Sequence, residues 1–141
     1  MKIKCILLCF VLFLLGPFST HAETYVQING ASVHDRSGYN SFNYGAGVEH
    51  SLDQNWSVAG GWYRNSEYRG SSYAYGRYSF YKQHNWDLGI GVGAVTGYRR
   101  ADILPMAFPE VCYAWLCAVA FPRVEATGAN VVGLRLRIPV N

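Results

Sequence analysis

The sequence predicts an all-β protein, an eight-stranded antiparallel up-and-down transmembrane β-barrel that follows a cleaved signal peptide. Three observations predict this class. Aromatic residues make up 16% of the 141 residues and charged residues only 15%, whereas an ordinary globular domain has about 25% charged residues. Short segments that alternate between polar and apolar residues recur along the chain. No apolar run beyond the N-terminus is long enough to predict a membrane helix, so membrane residence requires a barrel.

The first 22 residues have the parts of a secretory signal. Lys2 and Lys4 precede an apolar run at residues 5–15, and a Thr-His-Ala sequence ending at Ala22 places small residues at the −3 and −1 positions. The run is shorter than the roughly twenty residues of a membrane anchor. We therefore expect cleavage after Ala22 and a single barrel domain over residues 23–141. The formal net charge of +3 provides no basic field for nucleic acid.

The glycine-rich segment from Trp86 to Tyr98 shows the alternation most clearly. Successive side chains of a strand point to opposite faces, so one face is apolar and the other is nearly bare. The apolar face begins with Trp86 and ends with Tyr98, and a tilted strand of this length spans roughly 30 Å, the separation of two aromatic girdles in a bilayer. A glycine-rich strand of a soluble sandwich or barrel is the alternative for this segment alone.

The strands before this segment follow from alternation and from the turns between them. Val26 and Ile28 lie on one face of the first strand, and residues 35–38 (Asp-Arg-Ser-Gly) have turn chemistry. The third strand carries Trp56 and Trp62 on one face. The fourth is ambiguous because tyrosine occurs on both faces. These four predicted strands occupy residues 24–33, 39–50, 56–64 and 72–81.

The strands after this segment complete an even number. The sixth and seventh are predicted at residues 103–113 and 117–121. The last, from Val132 to Val140, has aliphatic residues on one face and Arg135 and Arg137 on the other. Because exposing a guanidinium group to lipid costs free energy, the arginines predict a polar interior. Eight short strands with apolar outer faces fit the smallest outer-membrane barrels.

The longer segments between strands contain arginines that are suited to phosphate. If the N-terminus starts in the periplasm, the segments at 34–38, 65–71, 99–102 and 122–130 are extracellular. Arginine binds phosphate in a forked geometry, and lipopolysaccharide carries phosphate. Ordinary solvated loop charge is the alternative. The arginines in these segments are Arg36, Arg69, Arg99, Arg100 and Arg123, of which Arg99 and Arg100 are the predicted substrate-binding pair.

Cys112 and Cys117 flank a short predicted turn at residues 113–116. In an oxidising compartment the pair is expected to form a disulfide that pins the hairpin. Two cysteines supply too few ligands for a zinc site. We therefore predict a disulfide and no metal.

Four further features occur in order along the chain. His34 ends the first strand, Asn65 and Ser66 follow an aromatic segment, residues 88–97 form the glycine-rich strand, and residues 103–109 are interrupted by prolines. In these features the chain resembles the lipid A palmitoyltransferase family of outer-membrane β-barrels. The resemblance implies a barrel in the bacterial outer membrane that transfers an acyl chain from a phospholipid to lipid A without a cofactor.

The resemblance also implies a set of site residues. In that family a His and an Asp-Ser pair at the outer mouth support acyl transfer. By position His34 matches the His and Ser66 the Ser, whereas Asn65 replaces the Asp, and the family's N-terminal amphipathic helix has no counterpart. His34, Ser66 and Asn65 are therefore the predicted catalytic set, with His34 as base and Ser66 as nucleophile or donor to an oxyanion. Asp35 or Asp102 is a candidate to orient His34.

Glycines and prolines predict where a lipid chain could enter and lie. Interior glycines leave room for an acyl chain, although they can equally mark close approach of strands. Prolines cannot donate to the ladder, so the sixth and seventh strands should be loosely paired, or simply bent. In the resembled family such seams admit lipid sideways. The glycines predicted to line the interior are Gly45, Gly47, Gly89, Gly91, Gly93 and Gly97, of which Gly89, Gly91 and Gly93 are the predicted substrate-binding residues, and the prolines are Pro105, Pro109 and Pro122.

The sequence thus favours a monomeric outer-membrane acyltransferase whose partners are phospholipid and lipopolysaccharide, with no nucleic acid, metal or organic cofactor. A non-catalytic barrel that binds a surface partner, blocks a receptor or stabilises the envelope is the alternative, and Asn65 favours it. A secreted soluble barrel that carries a small apolar ligand is a third class. The apolar outer faces of the strands argue against it, because they would need covering.

Overall fold

The computed structural model describes residues 22–123 and 128–140. The signal peptide predicted at residues 1–22 lies outside the described residues except for Ala22. No helix within the described ranges has the length and apolarity needed to cross a bilayer. The described residues form eight strands: β1 (Thr24–His34), β2 (Phe42–Ser51), β3 (Trp56–Arg64), β4 (Gly70–Gln83), β5 (Trp86–Thr96), β6 (Ile103–Tyr113), β7 (Leu116–Phe121) and β8 (Val131–Val140).

The strands form a closed antiparallel barrel. Each strand pairs with the next in the chain, and β8 pairs with β1. The predicted eight-stranded up-and-down topology is therefore confirmed, and β3 and β6 have the predicted bounds. Short turns join β2 to β3, β4 to β5 and β6 to β7 at one end, which we call the closed end. The other connections lie at the opposite end, which we call the mouth.

The outer surface of the barrel is apolar, as the alternation predicts. Near the closed end, aromatic side chains pair across neighbouring strands: the rings of Trp56 and Tyr78, and those of Trp86 and Tyr113, have centroids 4.9 Å apart. Such amphipathic rings are typical of the edge of a hydrocarbon layer. Other exposed apolar side chains on the outer face include Ile28, Val48, Trp62, Ile90, Val92, Leu134 and Leu136.

The aromatic residue predicted to end the apolar face of β5 lies inside the barrel. β5 ends at Thr96, and Gly97 has a φ of 85°, a left-handed conformation that interrupts the alternation. Tyr98 consequently lines an interior cavity, where its hydroxyl lies 2.9 Å from the Tyr63 hydroxyl. The prediction that Tyr98 closes an outer aromatic girdle is wrong.

A register shift in β1 decides which residues near the mouth face inward. Gln27 is fully buried before the shift, whereas Ser32 is buried and Val33 is 72% exposed after it. The pairing with β8 changes register between Asn29 and Ser32, as at a β-bulge. Uninterrupted alternation from Gln27 would place His34 on the outer face. The shift turns His34 into the interior, where it lines the cavity.

Atoms of neighbouring strands lie close over the interior glycines, so these glycines leave little open space. A Cβ added to Gly91 would lie 2.3 Å from the Phe108 ring, and one added to Gly89 would lie 2.9 Å from the Arg77 guanidinium. A Cβ on Gly93 would lie 2.0 Å from a backbone carbonyl oxygen of β4. Of the three glycines predicted to bind substrate, only Gly93 borders the cavity. The other two make room for side chains from β6 and β4, so close packing accounts for them.

An ionic network occupies the closed half of the interior. Arg77 donates to Glu110 at 2.5 Å and to Asp87 at 2.9 Å, and Arg135 pairs with the other oxygen of Glu110. Arg137 joins Asp87 to a further carboxylate, each at 2.9 Å. The two carboxylates that bridge arginine pairs therefore link all three arginines into one unit. Its members are Arg77, Arg135, Arg137, Glu49, Asp87 and Glu110, with equal numbers of positive and negative charges.

The strand pair β6–β7 is the least complete in the barrel. Only residues 110–113 of β6 pair with residues 116–119 of β7, so residues 103–109 have no partner on that side within the described chain. Cys112 and Cys117 are directly opposite in this short ladder and form a disulfide, as predicted. The predicted loose seam between the sixth and seventh strands is thus present in its mouth half and covalently fixed in its closed half.

Candidate functional site

A cavity of about 790 Å³ occupies the mouth half of the barrel. Its volume is within the range of sites that hold small molecules. The wall formed by β5, β6 and β7 is apolar, and its inward side chains are Val95, Leu104, Met106, Phe108, Val119 and Phe121. The facing wall from β1 to β4 is more polar, and it includes Asn29, Ser32, Asn43, Tyr63 and Tyr73.

The floor of the cavity is where it meets the ionic network. Arg135 borders the cavity, and its guanidinium lies over two neighbouring aromatic rings, 5.4 Å from the Tyr75 centroid and 5.7 Å from the Phe108 centroid. The Tyr75 and Phe108 rings meet edge to face. Arg135 therefore brings the ionic network to the floor of the cavity, beside these two rings.

The cavity also reaches the unpaired edge of β6. Pro105 and Ala107 are exposed side chains of that edge, and both border the cavity. Across the gap, Phe121 at the end of β7 and Pro122 after it also border the cavity. The interior space thus adjoins the outer apolar surface through the β6–β7 gap as well as opening at the mouth.

His34 lies at the mouth with its ring against Tyr39. The two rings are stacked, with centroids 5.0 Å apart and an interplanar angle of 11°. Neither ring nitrogen of His34 has a hydrogen-bond partner among the described residues. Both nitrogens are shielded from solvent, and the imidazole is therefore held by packing rather than by a polar contact.

Neither Asp35 nor Asp102, the two candidates for orienting His34, hydrogen-bonds to its ring. Both oxygens of Asp35 accept hydrogen bonds from Asn130, one from its backbone N–H at 2.9 Å. The bonds from Asn130 lower the pKa of the Asp35 carboxyl below its ordinary value. These hydrogen bonds join the segment after β1 to the residue before β8. Asp102 is exposed in the loop before β6.

Ser66 lies beside a pair of tyrosines on the rim. It borders the cavity, as do His34, Tyr63 and Tyr98. The Ser66 side chain interacts with the Tyr98 hydroxyl, and burial raises the pKa of the Tyr98 phenol. The Ser66 carbonyl accepts a 2.8 Å hydrogen bond from the backbone of Asn40, the residue after the tyrosine that stacks on His34. The loop after β3 and the loop after β1 are joined at this point, which brings Ser66 to the same rim as His34.

Asn65, the third predicted catalytic residue, is fully buried and does not border the cavity. Its side-chain oxygen accepts from the backbone N–H groups of Glu67 and Arg69, at 2.9 and 3.0 Å. Its amide nitrogen donates to the Ser71 hydroxyl at 2.9 Å and to the Gly97 carbonyl at 3.0 Å. These bonds use the whole hydrogen-bonding capacity of the side chain.

The predicted substrate-binding arginines differ in position. Both are exposed, but Arg100 borders the cavity and Arg99 does not. The Arg99 backbone N–H donates to the Glu67 carboxylate at 2.9 Å. Glu67 also borders the cavity. The rim therefore carries a mixed pair of charges rather than a purely basic surface at this point.

Tyr39, Tyr63 and Tyr98 are site residues that the sequence patterns do not predict. The alternation of β5, extended through Gly97, predicts Tyr98 on the outer face. A glycine at a strand end next to a tyrosine is the only sequence signal for its reversal, and it is a weak one. Nothing in the local sequence predicts the stacking of Tyr39 on His34.

The described residues hold one group of acids and cysteines close enough to share a metal ion: Glu110, Cys112 and Cys117. The two cysteines are joined in the disulfide, and Glu110 already pairs with two arginines. These residues do not fit a metal ion, because a cysteine binds a metal as a thiolate and both cysteines are in the disulfide.

No protein-family model matches the chain, and no curated protein matches it at a significant level.

Proposed function

We propose that the protein is an outer-membrane barrel that transfers an acyl chain from a phospholipid to a lipopolysaccharide-type acceptor. The observation that carries this proposal is the cavity. It has an apolar wall, it opens beside His34 and Ser66, and it adjoins the apolar outer surface at the β6–β7 gap. A lipid chain in that space would bring its ester group to the rim where the polar side chains lie.

The apolar outer surface supports membrane residence. Aliphatic and aromatic side chains cover the outside of the strands, whereas the charged side chains of the strand interiors form buried pairs. A soluble protein would expose such a continuous apolar surface only at a cost in aggregation. In a bilayer the same surface contacts acyl chains, and the closed ladder satisfies the backbone.

In the proposed reaction His34 takes the proton from the attacking hydroxyl group, as a neutral imidazole can. Ser66 either forms the acyl-enzyme or donates to the developing oxyanion. The ester bond of the phospholipid breaks, the same acyl group forms an ester with the acceptor hydroxyl, and the lysophospholipid leaves with the proton. No redox change occurs, and the side chains at the rim suffice for these roles.

A non-catalytic barrel that binds a surface ligand is the second candidate. Its support is the state of His34, which has no polar partner among the described residues to fix a tautomer. A base in an acyltransferase is commonly oriented by a third group. On this alternative the cavity would bind a lipid chain without turnover.

The deciding experiment is mass spectrometry of lipid A from cells that express the full chain. The proposal predicts an added acyl mass that is lost in His34→Ala and Ser66→Ala. His84→Asn, in the closed-end turn, and Ser72→Ala, on an exposed position of β4, are matched controls that should keep the added mass. Heat-dependent gel mobility in detergent checks that each variant is a folded membrane barrel. No mass gain with folded wild-type protein would reject acyl transfer and favour the binding alternative.

A further inference from the structure

Asn65 is one of the residues that attach the loop after β3 to the segment after β5, and it is the buried one. Its amide donates to the Gly97 carbonyl of the segment after β5 and to Ser71 at the start of β4. Its oxygen accepts from two backbone N–H groups of its own loop. Its backbone carbonyl accepts from Tyr68, and its backbone N–H donates to Arg69 at 2.7 Å. One buried side chain thus contributes both to the shape of this loop and to its attachment to the barrel.

The contacts of Asn65 require an amide. The Gly97 carbonyl can only accept, so the atom facing it must carry a hydrogen. The N–H groups of Glu67 and Arg69 can only donate, so the atom facing them must accept. A carboxylate satisfies the second requirement and fails the first, because it would place negative charge against a carbonyl oxygen in a fully buried site.

The loop that Asn65 shapes is the one that carries Ser66. The Ser66 carbonyl accepts from the Asn40 backbone, and the Asn65 carbonyl accepts from the Asn40 side chain at 3.2 Å. Asn40 follows Tyr39, whose ring stacks on His34. The fixed loop after β3 is therefore the element against which the His34 side of the rim is aligned.

We propose that Asn65 is a positioning residue that holds Ser66 at the rim through its amide, so that this site works without a carboxylate at that position. The role rests on the proposed acyl transfer for its catalytic consequence, but the positioning itself does not. It follows that Asn65→Asp, which introduces the acid implied by the family resemblance, should impair the site rather than improve it.

The test compares Asn65→Asp, Asn65→Ala and wild type as full-length protein refolded in detergent with phospholipid and lipid A. Asn65→Asp is expected to lower kcat for acyl transfer by about tenfold, the scale of an unpaired buried polar group, with KM little changed. The defect should shrink as the pH falls, because the protonated carboxyl regains an O–H donor. Asn65→Ala should be impaired without that pH dependence. Asn55→Asp is the matched control, since the Asn55 amide donates to the Ser79 carbonyl at the closed end.

Amide hydrogen exchange measured by NMR in micelles tests the positioning without any turnover. Asn65→Asp should raise the exchange rate of the Asn40 N–H, which donates to Ser66, while the Glu67 and Arg69 N–H groups stay protected. Asn65→Ala should expose all three. Should Asn65→Asp fail to fold, Ser71→Ala decides instead, because it removes one acceptor of the Asn65 amide and should raise Asn40 exchange.

The outcomes separate the two proposals. A wild-type protein that transfers no acyl group rejects the function, and the exchange measurements still decide the role of Asn65. An active wild type with an equally active or more active Asn65→Asp variant rejects the positioning role and leaves the function standing. Unchanged Asn40 exchange in Asn65→Asp would likewise overturn the inference.

Discussion

The closed half and the mouth half of the barrel interior differ in how their polar groups are paired. In the closed half, arginines and carboxylates pair directly with one another across the barrel. In the mouth half, hydroxyls, amides and one imidazole surround an open space, and both His34 nitrogens lack a described partner. Removing a partner from a buried ion pair is costly. The closed half is therefore expected to determine most of the stability, and substitution of the side chains that border the cavity in the mouth half should change ligand binding with little effect on folding.

Glu110→Ala should have the largest effect, because it removes the carboxylate that joins Arg77 to Arg135. Two buried guanidinium groups would lose a partner, which costs about 3–5 kcal/mol. Urea unfolding of the protein refolded into lipid vesicles measures the change in free energy. Ser66→Ala, at the mouth, should change it by less than about 1 kcal/mol. Equal effects of the two substitutions would contradict the division between the halves.

Replacing Cys112 and Cys117 by alanine together should have an intermediate effect. The disulfide closes a short loop at the foot of the β6–β7 seam, and loop closure of this length stabilises by about 2 kcal/mol. The mouth half of this seam has no ladder between β6 and β7. Removal of the disulfide should therefore also raise the amide exchange rate of residues 116–119 more than that of β3. Urea unfolding with and without reductant provides the measurement. An unaffected seam in the reduced protein would show that the short ladder holds without the covalent link.

Asp53→Ala, in the closed-end turn between β2 and β3, should have the smallest effect and one that depends on pH. The Asp53 carboxylate accepts from the N–H groups of Trp56 and Asn55, and these bonds lower its pKa. A lowered folded-state pKa contributes stability above the unfolded value of about 3.9, which is lost as the pH falls through the folded value. Unfolding of wild type and variant should therefore differ at pH 7 and converge at acidic pH. A difference that stays constant would exclude the carboxylate as its source.

The strands were predictable because alternation is a local property. The residues between Val132 and Val140 show it over a whole strand, and Arg135 and Arg137 are inside as expected. The side of the wall on which His34 and Tyr98 lie was not predictable in the same way. It depends on a register shift near Asn29 and on a left-handed Gly97, and neither changes the composition of the segment.

The site residues were predictable in identity more than in role. His34 and Ser66 were expected at one rim, and both border one cavity. The saturation of Asn65 depends on the Gly97 carbonyl, which lies 32 positions further along the chain and meets Asn65 only when the barrel closes. The filling of the space over Gly91 depends similarly on Phe108 of the neighbouring strand. Contacts between distant segments leave no periodic signal in the sequence.

Because of the bulge in β1, the face on which His34 lies depends on the number of residues between Gln27 and His34. One residue more or fewer between Gln27 and His34 would exchange the lumenal and outward positions of the segment after it. His34 and Ser32 would then point away from the lumen, and the valine between them would point into it. Single-residue deletions and insertions at Gly30 should for this reason be far less tolerated than substitutions there, even though the hairpin would keep its length to within one residue.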